Sequence, residues 1–222
     1  GEIPTPIKPT EGDFDKDKTI FYDPNTNTLF YGAIPNELPS TTSSNYGEYL
    51  FYNGDAWVIG STKINLGSGA GEKFQKENAI AIGNQAGNTN QNQNTVAIGA
   101  ESGKEYQGKN SVAVGTQAGR KNQGDESVAI GTSAALRNQK NGSVAIGYGA
   151  GETNQSKYAV ALGYQAGRGE VDQAGSQQGE YSIAIGNEAG YSNQKNSSIS
   201  IGNQAGKYCQ GLYAISIGFK AG

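Results

Sequence analysis

The chain has 222 residues, of which 34 are glycine and only 35% are hydrophobic, with a mean hydropathy of −0.60. This composition disfavours a large apolar globular core, and the absence of a Gly-X-Y period excludes collagen. Residues 1–60 hold nine acids and three bases, and the remainder holds eleven acids and fourteen bases, for a net charge of −3. The basic residues are scattered, which disfavours nucleic acid as a partner.

The first sixty residues predict two β-hairpins after an extended segment. Residues 1–12 contain three prolines, which favour a linker or tether. Alternating apolar runs surround turn-forming residues in 18–32 and again in 48–60, a pattern typical of hairpins. We therefore predict a small β cap or adaptor domain over 13–60. It would cover the open end of a repeat domain over 61–222, where an exposed strand edge would aggregate.

From residue 61 onwards, a strand motif that ends in glycine recurs every sixteen residues. One step, near residues 168–174, is seven residues longer than the others. A sixteen-residue period fits one coil of a parallel β-solenoid with two short strands and two turns, so we predict about ten stacked coils. The closing glycines are Gly67, Gly83, Gly99, Gly115, Gly131, Gly147, Gly163, Gly186, Gly202 and Gly218.

Large and small residues alternate before each closing glycine. Ile, Val or Leu stands one and three positions before it, with Ala or Ser between them in all coils but the first. Alternating side chains share a strand face, so the large residues lie on one face and the small ones on the other. We expect each coil to bury its two aliphatic residues, and a neighbouring chain to approach the small ones. Two aliphatics are few for sixteen ordered residues, which predicts a homo-oligomer with a shared core.

Two further positions recur after each closing glycine. A second glycine stands four positions on in every coil except one, where Ala135 replaces it. Because such corners favour positive φ, we predict mild strain at Ala135. Glutamine stands eight positions on in the regular coils, and the lengthened coil has Gln178, counted back from Gly186. We expect this glutamine to hydrogen-bond from coil to coil, as stacked amide ladders do.

The strands NSVAVG (110–115), ESVAIG (126–131) and GSVAIG (142–147) resemble the YadA-like head repeat of trimeric autotransporter adhesins. The resemblance covers roughly residues 63–222. It implies a homotrimeric, left-handed parallel β-roll at a surface, where it adheres to host or matrix. The sixteen-residue period is longer than is common in bacterial heads, and the sequence shows no coiled-coil stalk or C-terminal anchor. Similar AIGxQAGxxNQ arrays occur in fibre proteins of large DNA viruses and phages, so both origins stay open.

The lengthened step is the best candidate for a ligand-contact loop, because insertions in repeat proteins map to loops. Its candidate contact residues are Arg168, Glu170, Asp172 and Gln173; the alternative is a tolerated bulge without a function. Two carboxylates are too few to predict a metal site. The chain contains no histidine and no recurring column of carboxylates, so we predict no catalytic, cofactor or metal site and disfavour a glycan-processing enzyme.

We therefore expect an all-β, non-enzymatic fibre outside the cell, on a virion or a bacterial surface. It would present a receptor- or glycan-binding rod, and the alternative is a purely structural shaft with no ligand. The expected partners are two further copies of the chain, a host glycan or receptor, and a fibre or anchor protein at the N-terminal end. No apolar run approaches the roughly 20 residues of a membrane helix, so we expect no membrane insertion by this segment.

Overall fold

The computed structural model describes residues 18–23, 28–33, 49–52, 57–60, 62–170 and 177–222. The chain divides into two compact units, Gly1–Ser61 and Thr62–Gly222. Every regular element within the described ranges is a β-strand, which confirms the all-β prediction. The same ranges contain no helix of the length and apolarity that crossing a membrane requires.

The first unit contains two antiparallel strand pairs. Strand β1 (Lys18–Asp23) pairs with β2 (Thr28–Ala33), and β3 (Leu50–Tyr52) pairs with β4 (Trp57–Ile59). The predicted linker 1–12 and the tips of both pairs lie outside the described residues. The role of 13–60 as a cap or adaptor therefore stays a prediction.

The second unit is a parallel solenoid built from fourteen three-residue strands. Ten of them form one sheet in the order β5-β6-β8-β10-β12-β14-β15-β16-β17-β18, and four form a second sheet in the order β7-β9-β11-β13. In chain order, the strands are β5 (Ile64–Leu66), β6 (Ile80–Ile82), β7 (Thr89–Gln91), β8 (Val96–Ile98), β9 (Glu105–Gln107), β10 (Val112–Val114), β11 (Lys121–Gln123), β12 (Val128–Ile130), β13 (Arg137–Gln139), β14 (Val144–Ile146), β15 (Val160–Leu162), β16 (Ile183–Ile185), β17 (Ile199–Ile201) and β18 (Ile215–Ile217).

Each strand of the larger sheet stacks on its own counterpart in the next coil. Val112 pairs with Val128 and Ala113 with Ala129, and the same register continues along the sheet. The long step keeps it as well, because Val160 pairs with Ile183. Ten strands in one parallel sheet span nine turns, so the predicted solenoid is confirmed.

The interior of each coil is formed by the small residues, not by the aliphatic ones. Ala97, Ala113, Ala129 and their equivalents from Ala81 to Ser200 are fully buried, whereas the Ile, Val and Leu residues on either side of them point outwards. The expectation that each coil buries its two aliphatics was therefore wrong for the single chain. Three-residue strands on opposite sides of a sixteen-residue coil lie too close together for large side chains between them, so alanine and serine fill that space.

Glutamine closes the other side of the coil. Gln123 is almost fully buried, and its Nε2 donates to the Val112 carbonyl on the opposite side of the same coil at 2.8 Å. In seven other coils, the equivalent glutamine makes the same hydrogen bond across the interior of its own coil. The expected ladder bond between glutamines of adjacent coils forms at three steps, for example from Gln139 to Gln155 at 3.2 Å. The glutamine column therefore acts mainly as a brace within each coil.

Several corners of each coil adopt left-handed backbone conformations. The second recurring glycine has φ between 51° and 58° in eight coils, and Ala135 adopts φ 47° in the same place. Ala135 is also fully buried. Because alanine pays an energetic penalty for positive φ that glycine does not, the predicted strain at Ala135 is confirmed as a left-handed conformation.

Candidate interaction surface

The outer face of the ten-stranded sheet carries a continuous aliphatic stripe. It consists of the first and third residues of each strand, so every coil contributes two side chains to the same face. All twenty are Ile, Val or Leu, and none of these twenty described residues is buried within the chain. Their exposed fractions rise to 65% at Ile215 and Ile217 in the last strand.

The length of this aliphatic stripe distinguishes it from ordinary surface apolar residues. Nine steps of about 4.8 Å give it a length of roughly 43 Å. Isolated apolar side chains are common on soluble proteins, but contiguous apolar patches of this extent mark surfaces that bind another molecule. The parallel register keeps the stripe continuous, because each aliphatic side chain stands beside its counterpart in the next coil.

A different face, next to the second glycine, is polar and internally paired. The Glu101 carboxylate accepts hydrogen bonds from Lys104 at 2.7 Å and from Gln117 and Arg120 of the next coil at 2.9 Å each. The bonds from Lys104 and Gln117 contribute most to lowering the pKa of Glu101 to about 2. Further along, Glu188 accepts hydrogen bonds from Gln204 and Lys207 in the same arrangement, with the Lys207 bond as the main cause of a lowered pKa.

Arg168, the first residue of the predicted ligand loop, is held in the regular coil. Its Nε donates to Glu152 at 2.6 Å, and its Nη1 donates to the Tyr191 hydroxyl at 2.5 Å. Burial lowers its pKa, but the hydrogen bond to Glu152 contributes to a net rise. The Arg168 guanidinium therefore links the coils before and after it.

The extra residues of the long step lie beyond Arg168. The Arg168 carbonyl accepts from Thr153, the Gly169 amide donates to Tyr191, and the Gln178 carbonyl accepts from Ser156, all in coil register. The insertion therefore lies between Gly169 and Gln178. Glu170 is half-buried at its start, and Asp172 and Gln173 lie outside the described residues. Their role in ligand contact stays a prediction.

Exposed tyrosines line two further columns of the solenoid. Tyr148 and Tyr164 occupy equivalent positions in adjacent coils and stack with ring centroids 5.4 Å apart. Tyr158 and Tyr181 stack at the same separation on a different column. All four are about half exposed or more, and the pairing follows from the parallel register, which places equivalent residues about 4.8 Å apart.

The tyrosine column that contains Tyr158 and Tyr181 was not predicted from the sequence. These two residues are 23 positions apart, because the insertion lies between them, so a search at sixteen-residue spacing misses the pair. Counting five residues back from each closing glycine places Tyr158, Tyr181 and Tyr213 in one column. That count would have identified the column from the sequence.

No group of three or more His, Cys, Asp or Glu residues that could hold a metal is present in the described part of the chain.

Cys209 is exposed, and its sulfur accepts a hydrogen bond from Asn193 of the preceding coil at 3.4 Å. The described part of the solenoid therefore carries an apolar stripe, a face of paired charges and columns of stacked aromatic rings on separate parts of its surface.

Comparison with known proteins gives one family match. The YadA head domain repeat matches twice, at residues 107–118 and 178–189. No significant match was found among curated proteins or among solved structures. Both matched segments begin at the glutamine that braces the coil, Gln107 or Gln178, and end at a buried corner alanine, Ala118 or Ala189. They therefore cover the same part of two different coils. Each includes a buried serine, the strand that follows this serine, and the glycine that closes the strand. Two segments of the parallel solenoid are thus similar to the YadA head domain repeat.

Proposed function

We propose that the chain forms the trimeric β-roll of an adhesive surface fibre on a virion or a cell. The aliphatic stripe is the observation that supports this proposal. In a trimer, three stripes would face one another around a common axis and form the shared apolar core. The trimeric state and the surface location are what YadA-like head repeats imply.

The energetics favour association through the aliphatic stripe. Burying the part of one such side chain that remains exposed is worth roughly 0.5–1 kcal/mol, so twenty side chains contribute on the order of 10–20 kcal/mol per chain. Three chains together contribute on the order of 30–60 kcal/mol, against about 8–30 kcal/mol for the translational and rotational freedom lost in the two association steps of a trimer. The small-residue column, which the sequence suggested as the contact between chains, is already buried inside each coil.

The proposed ligand is a host receptor or glycan. The lengthened loop with Glu170, Asp172 and Gln173 is one candidate contact, since it is the main irregularity in the series of coils. Residues 13–60 are proposed as a cap or adaptor, preceded by the linker 1–12 and joined to a fibre or anchor protein. We propose no catalytic role for any of these parts.

The alternative is a structural shaft without a ligand of its own, and one observation favours it. The charged groups on the paired polar face bind one another from coil to coil, as Glu101 and Arg120 do. Charged side chains that are paired with one another stabilise the rod and contribute little to recognition of a receptor. A shaft and an adhesin would have the same trimeric core and would differ in binding.

The molar mass of the full chain in solution, measured by light scattering, tests the proposed assembly. We expect three times the chain mass of 23.1 kDa. Ile130→Lys places a charge in the aliphatic stripe and should abolish the trimer, because an unpaired lysine would be buried in the shared core. A folded wild-type monomer would contradict the proposal.

Leu136→Lys is the matched control, because it makes the same chemical change within the same coil. Position 136 is equivalent to Lys104 and Arg120 in earlier coils, so a lysine there should leave the trimer intact. Binding of labelled wild-type trimer to host cells then separates the adhesin from the shaft. Saturable binding supports the adhesin, and its absence on all cell types tested supports the shaft.

A further inference from the structure

One column of left-handed turn residues runs beside the aliphatic stripe, five positions before each closing glycine. Tyr158, Tyr181, Ser197 and Tyr213 occupy this column in four consecutive coils, with φ between 56° and 58°. The Tyr181, Ser197 and Tyr213 amides each donate to a carbonyl of the preceding coil. Their Cα–Cβ bonds therefore point in the same direction, one coil step apart.

The two tyrosines that occupy adjacent coils of this column stack on each other. Tyr158 and Tyr181 stack with an interplanar angle of 13° and ring centroids 5.4 Å apart. The other face of Tyr158 lies against Gly142, where a Cβ would stand 2.6 Å from the ring. Nothing fits between rings at this separation, so the Tyr158–Tyr181 pair is a closed stack.

Between Tyr181 and Tyr213, the column is open. Ser197 separates the two tyrosines, so their positions are two coil steps, or about 10 Å, apart. A six-membered ring placed midway would lie about 5 Å from each tyrosine, which is an ordinary stacking separation for aromatic side chains. Tyr181 is 59% exposed and Tyr213 77%. We name this gap, bounded by Tyr181, Ser197 and Tyr213, the tyrosine notch.

The floor of the tyrosine notch is polar. The Ser197 hydroxyl makes no hydrogen bond to any described residue, and Ser197 is partly exposed. Beside it, the exposed Asn196 uses its Oδ1 to accept the Glu180 amide at 3.1 Å, which leaves its Nδ2 pointing to no acceptor among the described residues. A purely aromatic ligand would leave these groups unmatched, whereas a ligand with several hydroxyls would pair with them.

We infer that the tyrosine notch binds a single pyranose ring of a glycan. The two apolar faces of the sugar would stack on Tyr181 and Tyr213, and its hydroxyls would bond to Ser197 and Asn196. This combination of apolar walls and a few polar groups is typical of small-ligand sites. The inference rests on the proposed function in one respect: an adhesive fibre is exposed to surface glycans.

Ser197→Tyr is the decisive variant, because it fills the notch with a third ring. The column already accepts tyrosine in the left-handed conformation at positions 158, 181 and 213, so the variant should fold. Binding of the full chain to a panel of methyl glucoside, methyl galactoside and methyl N-acetylglucosaminide is measured by saturation-transfer NMR. The strongest binder is then titrated by calorimetry. We expect Ser197→Tyr and Tyr213→Ala each to weaken binding roughly tenfold or more, equivalent to about 1.4 kcal/mol of lost stacking.

Tyr148→Ala is the control, since Tyr148 is a similarly exposed tyrosine that forms a closed stack with Tyr164 on a different column and borders no gap. It should bind the glycoside as the wild type does. The inference is overturned if no glycoside of the panel gives saturation transfer with the wild-type chain. It is also overturned if Ser197→Tyr binds as tightly as the wild type.

These experiments can contradict the proposed function and the tyrosine notch independently of each other. The tyrosine notch lies within one chain, so glycoside binding that Ser197→Tyr abolishes would support the notch even in a monomer. A trimer that adheres to cells but binds no glycoside would support the proposed function and overturn the notch. Glycoside binding, adhesion to cells and molar mass are all measured on the same protein samples.

Discussion

Gly115 and Gly131 lie against each other backbone to backbone in adjacent coils. A Cβ on Gly115 would stand 2.8 Å from the carbonyl carbon of Gly131, and Gly115 adopts φ +126°. Side chains are therefore excluded at this corner both by the space and by the backbone conformation. The same contact repeats between successive closing glycines, which explains why glycine ends each strand.

Gly115→Ala should destabilise the chain by on the order of 3 kcal/mol, since it adds backbone strain and a steric overlap with the next coil. Thermal unfolding followed by circular dichroism measures the effect. Gly211→Ala is the control, because a Cβ at Gly211 meets nothing within 4 Å and its φ is not in the left-handed region. An equal loss for both variants would contradict this account of the corner.

Ala135→Gly should stabilise the chain by about 0.5–1 kcal/mol, because glycine adopts the observed φ of 47° without the steric cost that alanine incurs. Urea unfolding measures the change. Ala134→Gly serves as the comparison, since Ala134 is equally buried but lacks a positive φ and should lose stability. If Ala135→Gly also lowers stability, the packing of the Ala135 methyl group outweighs the strain.

Gln123→Met should cost about 2 kcal/mol. Methionine matches the length of glutamine, but it leaves the Val112 carbonyl without its 2.8 Å donor inside the coil, and an unmade buried hydrogen bond costs about 1–3 kcal/mol. The midpoint of chemical unfolding gives the value. Gln93→Met is the surface control, because Gln93 is exposed, and it should change stability little. No loss in Gln123→Met would mean that the brace is dispensable.

Stability should decrease in acid partly through Glu101. Its pKa is lowered to about 2 in the folded chain, from an ordinary value of 4.5, so its ionised form stabilises the fold above about pH 4.5. This contribution, on the order of 1–3 kcal/mol, is lost as the pH falls towards 2. The melting temperature of Glu101→Gln should therefore fall less between pH 7 and pH 3 than that of the wild type. Parallel pH profiles of the two proteins would contradict the prediction.

Deleting residues 170–176 should preserve the solenoid, because it restores the sixteen-residue step and keeps Arg168 bound to Glu152 and Tyr191. We expect an unchanged molar mass and a similar melting temperature. If Glu170, Asp172 and Gln173 contact the receptor, the deletion should abolish binding to cells and leave glycoside binding in the tyrosine notch intact. Unchanged adhesion would remove the loop from the proposed function.

The period of the repeat was sufficient to predict the parallel solenoid, its number of coils and the corner strain at Ala135. Residue alternation also showed that Val112 and Val114 share one face and Ala113 occupies the other. It did not show which face is inside, because alternation defines the two faces of a strand but not their burial. The narrow coil decides this, since it has room for Ala113 and the extended Gln123 side chain but not for two layers of aliphatics.

The candidate site was less predictable than the fold. Arg168 was predicted as a ligand contact and stays one as a prediction, while its bonds to Glu152 and Tyr191 hold it in the regular coil. Those partners lie 16 and 23 residues away, so the contacts follow only from the coil register around the insertion. The tyrosine notch depends on the same register, because Ser197 matters only once Tyr181 and Tyr213 are known to flank it.

The uniform step between coils makes the length of the rod easy to change in evolution. Each sixteen-residue unit adds about 4.8 Å, and its backbone bonds to the coils on either side are the same wherever it is inserted. Duplication or loss of a whole unit by recombination would therefore lengthen or shorten the rod without a new interface. The number of units in the gene would then set the distance between the two partners that the ends of such a rod connect.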